Sequence, residues 1–317
     1  MAVFTPLDSS QIRDLLALYQ AGDYVSHEGI LEGVWNTNFH VHTTKSHMIL
    51  TVFEERTNVD DLPFFFAYTD HLVRMGLSCP GPILTNRYER SVEIAGKKAA
   101  LFPFFNGRSL TLAQITPEHC EDLGRYLARM HLAVADFIVE RANDMSLSGW
   151  QKLADKTRAR ADEVCPGLSV MVDQELSWLV QHWPEALPRG AVHLDLFPDN
   201  VFFDEGKVCA VIDFYFSATD MLAYDLAIAI NAWCFDSSCL FRPDCYRALL
   251  QGYELLRPLT FAEREALPVL LRAASVRFLM TRLHDWLFHD PKNFVKPHDP
   301  MAYVERLRFH QQGNRSA

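Results

Sequence analysis

The sequence predicts an α+β fold in two lobes, a small antiparallel β-sheet lobe followed by a mainly helical one. Three observations predict it. The first third is rich in short runs of β-branched and aromatic residues, apolar residues take helical spacing after Asn106-Gly107, and one β-rich island, residues 191–216, interrupts the helices. The expected division is residues 1–102, a hinge at 103–107, and a helical lobe over 108–317. With 317 residues and 49% hydrophobic content, the chain can bury a substantial core.

The elements follow in order. Asp8 and Gln11 have capping-box spacing ahead of an apolar-periodic helix through Tyr19. Strands are expected over 39–44 and 47–54, joined by the polar turn at Lys45-Ser46. A helix over 62–74 is ended by Gly76 and the breaker Pro80-Gly81-Pro82. Two more strands, 87–94 and 98–105, flank the turn Ala95-Gly96. The lobe boundary comes next, and then a helix over 117–137 on which Leu123, Leu127, Met130, His131 and Val134 recur at spacings of three and four.

Composition excludes several classes. The net charge of -10 argues against a binder of nucleic-acid backbones, which needs clustered Lys and Arg. No leader pattern opens the chain and no apolar run is long enough to span a bilayer, so a cytoplasmic location is expected. The seven cysteines include no C-x-x-C pair, which speaks against a disulfide framework or a zinc site. His40 with His42 and His284 with His289 lack the spacing of a zinc helix. Small molecules and a cation are the expected partners.

The island holds the chemistry. It reads Val192-His193-Leu194-Asp195-Leu196-Phe197-Pro198-Asp199-Asn200-Val201, then a turn at Asp204-Glu205-Gly206 and a returning strand into Asp213. Two apolar strands flank a polar loop, and a single ribbon of this length would carry Asp195, Asn200 and Asp213 to one edge. Phosphoryl transfer uses such a set: oxygen ligands for Mg²⁺ and one carboxylate beside the attacking hydroxyl. In that role Asp195 accepts the substrate proton, Asn200 and Asp213 hold the metal, and His193 pins the loop. A loop whose carboxylates merely cap turns has the same composition.

The H-x-D-x-x-x-x-N pattern with a strand-terminal Asp resembles that of protein-kinase-like enzymes and is similar to that of the aminoglycoside phosphotransferase superfamily. The run from Ile212 through Asp225 to Phe235, with Gly29 to Phe39, Ile49 to Glu54, Leu101 to Gly107 and Ala274 to Trp286, resembles the bacterial homoserine kinases of that fold. The resemblance spans nearly the whole chain. It implies a protein-kinase-like bilobal fold with a nucleotide-binding first lobe, ATP and Mg²⁺ as cofactors, and phosphorylation of L-homoserine to O-phospho-L-homoserine, a step toward threonine. It further implies that Asp225 braces the catalytic loop through backbone N–H groups.

For the nucleotide, Gly33, Thr37 and Asn38 suit a turn that approaches phosphate, although a ligand-free turn uses the same residues. The backbone of Phe104 and Phe105 is expected to meet the adenine. Two features depart from the wider kinase pattern. Thr51 stands where most such folds carry a lysine, and Phe214-Tyr215 follow Asp213 where many kinases place a glycine. Tyr215 is then a candidate for lining the substrate pocket. Of the arginines on the late helix, Arg277 is the expected partner of the substrate carboxylate, with Arg282 turned to solvent or an ion pair. Two alternatives stay open. One is a kinase of the same fold for choline, hydroxylysine, methylthioribose or an aminoglycoside; the other is a nucleotide-binding pseudokinase.

Overall fold

The computed structural model describes residues 4–30, 36–55, 57–289 and 296–313. The chain divides into two compact units, one of Met1–Asn106 with Ala210–Tyr215, the other of Gly107–Cys209 with Phe216–Ala317.

In the first unit, strands β1 (Tyr24–Ile30), β2 (Thr37–Thr43), β3 (His47–Val52), β4 (Val92–Ile94) and β5 (Lys97–Pro103) form an antiparallel sheet ordered β1-β2-β3-β5-β4. The β2–β3 turn is fixed by Thr43, whose Oγ1 accepts from the backbone N–H of Ser46 at 3.0 Å. Pleating sends alternate side chains to opposite faces. Phe39, Val41, Leu50, Val52 and Leu101 gather with Ile12, Leu15 and Leu16 of helix α1 (Ser9–Leu16). Helix α1 opens on the expected capping box and stops at Leu16, short of Tyr19. Helix α2 (Leu62–Arg74) matches the expected span and sets Phe66 against Phe102, on the sheet face opposite Leu101.

The expected strand over 87–94 shrinks to β4. Thr85 is the reason: its Oγ1 accepts from the N–H groups of Arg87 and Glu89, and Tyr88 turns to φ 63°, so this stretch is a closed turn.

In the second unit come helices α3 (Pro117–Ala133), α4 (Leu147–Thr157) and α5 (Leu168–His182), then strands β6 (Arg189–Val192), β7 (Val201–Asp204), β8 (Lys207–Val211) and β9 (Ala218–Met221). Helices α6 (Leu222–Trp233), α7 (Pro243–Leu256), α8 (Phe261–Leu287) and α9 (Met301–Gln311) complete it. The chain passes from this unit to the first within β8, after Cys209. The island is two ribbons rather than one: β6 pairs with β9, and β7 with β8. Pro198 separates them, because it lacks an N–H and opens a 3-10 turn, Pro198–Asn200, ahead of β7. Every residue of α6 is buried, as expected of a helix that is apolar all round. No helix among the described residues is long and apolar enough to cross a membrane, and all seven cysteines are free thiols.

Candidate active site

The loop after β6 is built around one strained residue. Leu194 is fully buried at φ 64°, a region that L side chains with a Cβ rarely occupy. Charged groups hold both sides of it: its N–H donates to Asp225 Oδ1 at 2.7 Å, and its carbonyl accepts from Arg277 Nη1. The N–H of His193 donates to the other oxygen of Asp225 at 3.0 Å, and Trp233 Nε1 donates to the carbonyl of Leu196 at 2.9 Å.

Asp225 sits in the first turn of α6 and is wholly buried, which is costly for a carboxylate unless it is satisfied. A third donor, His131 Nε2 of α3, reaches it at 3.2 Å. Burial alone would raise the Asp225 pKa; the hydrogen bonds from His131 and the loop outweigh that and hold it below the usual carboxylate range. Burial pushes the His131 imidazole down despite its carboxylate neighbour. A neutral ring donating at Nε2 must accept at Nδ1, where the Tyr253 hydroxyl lies at 2.7 Å. Arg257 donates to that hydroxyl in turn through Nη1, at 2.9 Å, and pairs with Glu263 through Nη2. A chain of buried polar groups thus runs from Glu263 to the loop.

On this frame Asp195 is half-buried and Asn200 buried. Asn200 Nδ2 donates to the backbone oxygen of Asp195 at 2.8 Å and to its Oδ2 at 3.1 Å, which turns the amide oxygen away from the carboxylate. Asn200 therefore presents an oxygen donor, as a hard cation requires. His193 has no exposed surface, and its Nδ1 accepts the N–H of Asp195 at 3.2 Å. Asp195, Asn200 and His193 are accordingly gathered on one loop, and Arg277 of α8 holds it through the Leu194 carbonyl. Arg277 is only 1% exposed and lies 4.7 Å over the Phe278 ring, so its head is committed to the loop.

The remaining expected residues lie in the first unit. Asp213 follows β8 at φ 62°. Tyr215 packs on Phe53 and Phe65 with ring centroids 5.7 and 5.8 Å away; burial, and then the Asp213 charge, push its phenol well up, against a hydrogen bond with Thr51. Thr51 Oγ1 donates to Asn38 Oδ1 at 2.7 Å, so the position that carries a lysine in most such folds shares a sheet face with Asn38. Thr37 points to the other face. Its hydroxyl donates to Glu54 at 2.6 Å and accepts from the N–H groups of Phe4 and Thr5, which leaves only its main chain for a ligand. Lys97 neutralises Glu54 there. Phe104 stacks on His47 at 3.8 Å, and His47 in turn meets His40 and His42. Phe105 follows it directly, and Gly33 lies outside the described residues. Sequence reasoning missed His131, Tyr253 and the use of Trp233. The one available signal was a lone Asp in an apolar helix, which demands partners without naming them.

Residues 26–259 match the phosphotransferase enzyme family. A homoserine kinase of Xanthobacter autotrophicus is 47% identical over 311 residues, 98% of this chain and 96% of that protein. One from Brucella anthropi is 46% identical over 312 residues, 98% and 95% of the two chains. Among solved structures, a choline kinase from Cryptosporidium parvum Iowa II superposes with a TM-score of 0.72 at 13% identity, covering 96% of this chain and 95% of its own. The amicoumacin kinase solved with AMP-PNP, Ca²⁺ and Ami gives 0.71 at 17% identity, covering 97% and 94%. At such identities these two speak for the protein-kinase-like fold alone.

Proposed function

This chain belongs to the phosphotransferase enzyme family, in its homoserine kinase branch, and we propose that it transfers the terminal phosphoryl group of ATP to the side-chain hydroxyl of L-homoserine, giving ADP and O-phospho-L-homoserine. The observation that carries the substrate is the 47% identity that runs through 98% of the chain to a homoserine kinase.

In this reading the half-buried Asp195 carboxylate accepts the hydroxyl proton as the oxygen attacks phosphorus. Asn200 fixes that carboxylate by hydrogen bonding, and its amide oxygen, together with Asp213, is the proposed ligand set for Mg²⁺. Only hard oxygen donors are offered, which suits Mg²⁺, and when bound the ion neutralises charge on the phosphate oxygens. His193 holds the loop and takes no proton from substrate. The base of the nucleotide is assigned to the main chain of Phe104 and Phe105, and its phosphates to Asn38 and Gly33. Tyr215 is assigned to the lining of the substrate pocket, and loop amides with Mg²⁺ would stand in for the lysine that Thr51 replaces.

A coupled ADP-release assay over homoserine, serine, threonine, choline and sugars tests this directly. Homoserine should be turned over well above the others. Asp195→Ala should lower kcat by about 100- to 10,000-fold, the usual worth of a positioned general base, while ATP binding and the melting curve stay near wild type. Wild-type turnover by Asp195→Ala, or a preference for choline, would overturn the corresponding half of the proposal.

A further inference from the structure

Helix α8 carries four arginines, and three have found partners. Arg264 and Arg272 stand 2.7 and 2.6 Å from the carboxylates of Glu254 and Glu175, and Arg277 grips the carbonyl of Leu194. Arg282 differs. Among the described residues no carboxylate lies within ion-pair distance of it, and its single hydrogen bond, from Nη1 to the Asp299 carbonyl, is long at 3.5 Å. Its guanidinium instead lies 4.7 Å over the ring of Tyr303. A half-buried guanidinium with no carboxylate in direct contact keeps its fork available to an anion that a ligand supplies.

The surroundings indicate which ligand. Tyr303 is fully buried, and its hydroxyl has no hydrogen-bond partner among the described residues. Its ring leans on Phe278 with centroids 5.3 Å apart, and Phe278 meets Phe197 of the catalytic loop edge-on at 4.8 Å. A buried stack of rings therefore links the loop that carries Asp195 to the support beneath Arg282. Burial holds the Arg282 pKa below its usual value, while Asp195 and Asp199 are near enough to act against that, and Asp195 also acts on Tyr303.

We infer that Arg282, in place of Arg277, binds the carboxylate of the amino-acid substrate, with Phe197 against its methylene groups and its hydroxyl beside Asp195. This assignment rests on the reading of the chain as a homoserine kinase. A guanidinium fork is suited to a carboxylate and offers nothing comparable to a neutral amide or to an amino alcohol without an acid group. Arg282 is thus the residue that selects an amino acid among the small alcohols accepted by related folds.

The test compares homoserine with its carboxamide in the ADP-release assay, for wild type, Arg282→Gln and Arg282→Lys. Wild type should favour homoserine. Arg282→Gln should raise KM for homoserine on the order of 10- to 100-fold, the usual cost of losing hydrogen bonds to a charged group, with KM for ATP and turnover of the carboxamide little changed. Arg282→Lys should fall between. The ratio of kcat/KM for the two substrates is internal to each preparation, so partial misfolding does not alter it. A wild-type ratio in Arg282→Gln overturns the assignment, as does an equal loss of kcat on both substrates, which would put Arg282 on the phosphoryl group. Failure of the wild type to phosphorylate homoserine at all would overturn the homoserine reading and this assignment with it.

Discussion

Leu194 shows how one residue carries the strain of the catalytic loop. A leucine at φ 64° costs on the order of 1–3 kcal/mol, and the cost is tolerated because Asp225 and Arg277 fix its two backbone polar groups while its side chain is fully buried. Asp225 is the more demanding of the two anchors, since its carboxylate accepts from His193, Leu194 and His131 at once. Asp225→Asn keeps the shape but supplies only one acceptor oxygen, so one buried N–H is left facing an amide NH₂. The expected cost is about 1–3 kcal/mol of stability, read by urea denaturation, with kcat falling more than KM for ATP because the loop aiming Asp195 loosens. An unchanged midpoint and unchanged kcat would show that the brace is dispensable.

At the scale of elements, α3 and α7 meet through glycine. A Cβ on Gly252 would lie 2.0 Å from the Glu121 carbonyl oxygen, and one on Gly124 2.2 Å from that of Leu249. Both obstacles are backbone, so the helices must separate to admit a methyl group. Gly252→Ala and Gly124→Ala should each cost about 1–3 kcal/mol by overpacking. The double variant should lose less than the sum, since one displacement of the seam relieves both clashes. Denaturant midpoints of the three variants check this, and full additivity would mean that the two sites yield independently. The separation of α7 would also move Tyr253 relative to His131, so these variants should lower kcat as well. The same elements show what sequence discloses. The motif from His193 to Asn200 was legible because its contacts are local, two and five residues apart. The link from His131 to Asp225 spans 94 residues and that to Tyr253 122, and only packing decides them. The pairing of β6 with β9 was equally hidden. For Thr37 and Asn38, adjacency was legible but facing was not, because the face that meets α1 is chosen by where α1 packs.

The whole molecule should lose stability in mild acid. His47 in the first unit, and His131 and His310 in the second, all have imidazole pKa values below the usual one, burial being the largest cause in each, and His310 is lowered to about 4. On unfolding each returns to about 6.5, so between its folded value and about 6.5 the unfolded chain binds more protons than the folded one. Stability therefore rises with pH across that window and falls as pH drops below about 6.5. Asp225 and Glu54 behave as depressed carboxylates: their contribution is present above the ordinary carboxylate range near pH 4 and is lost as pH falls further, through their folded values. Calorimetry from pH 7.5 to pH 5 should show a Tm that declines in the imidazole window, before the carboxylates titrate. His310 Nε2 lies 2.7 Å from Asn231 Oδ1, a bond that Gln can also donate, so His310→Gln keeps the contact and removes the proton acceptor. Its Tm should decline less steeply over that range while matching wild type more closely at pH 7.5. An identical slope in the two proteins would mean that proton uptake at His310 is not coupled to unfolding.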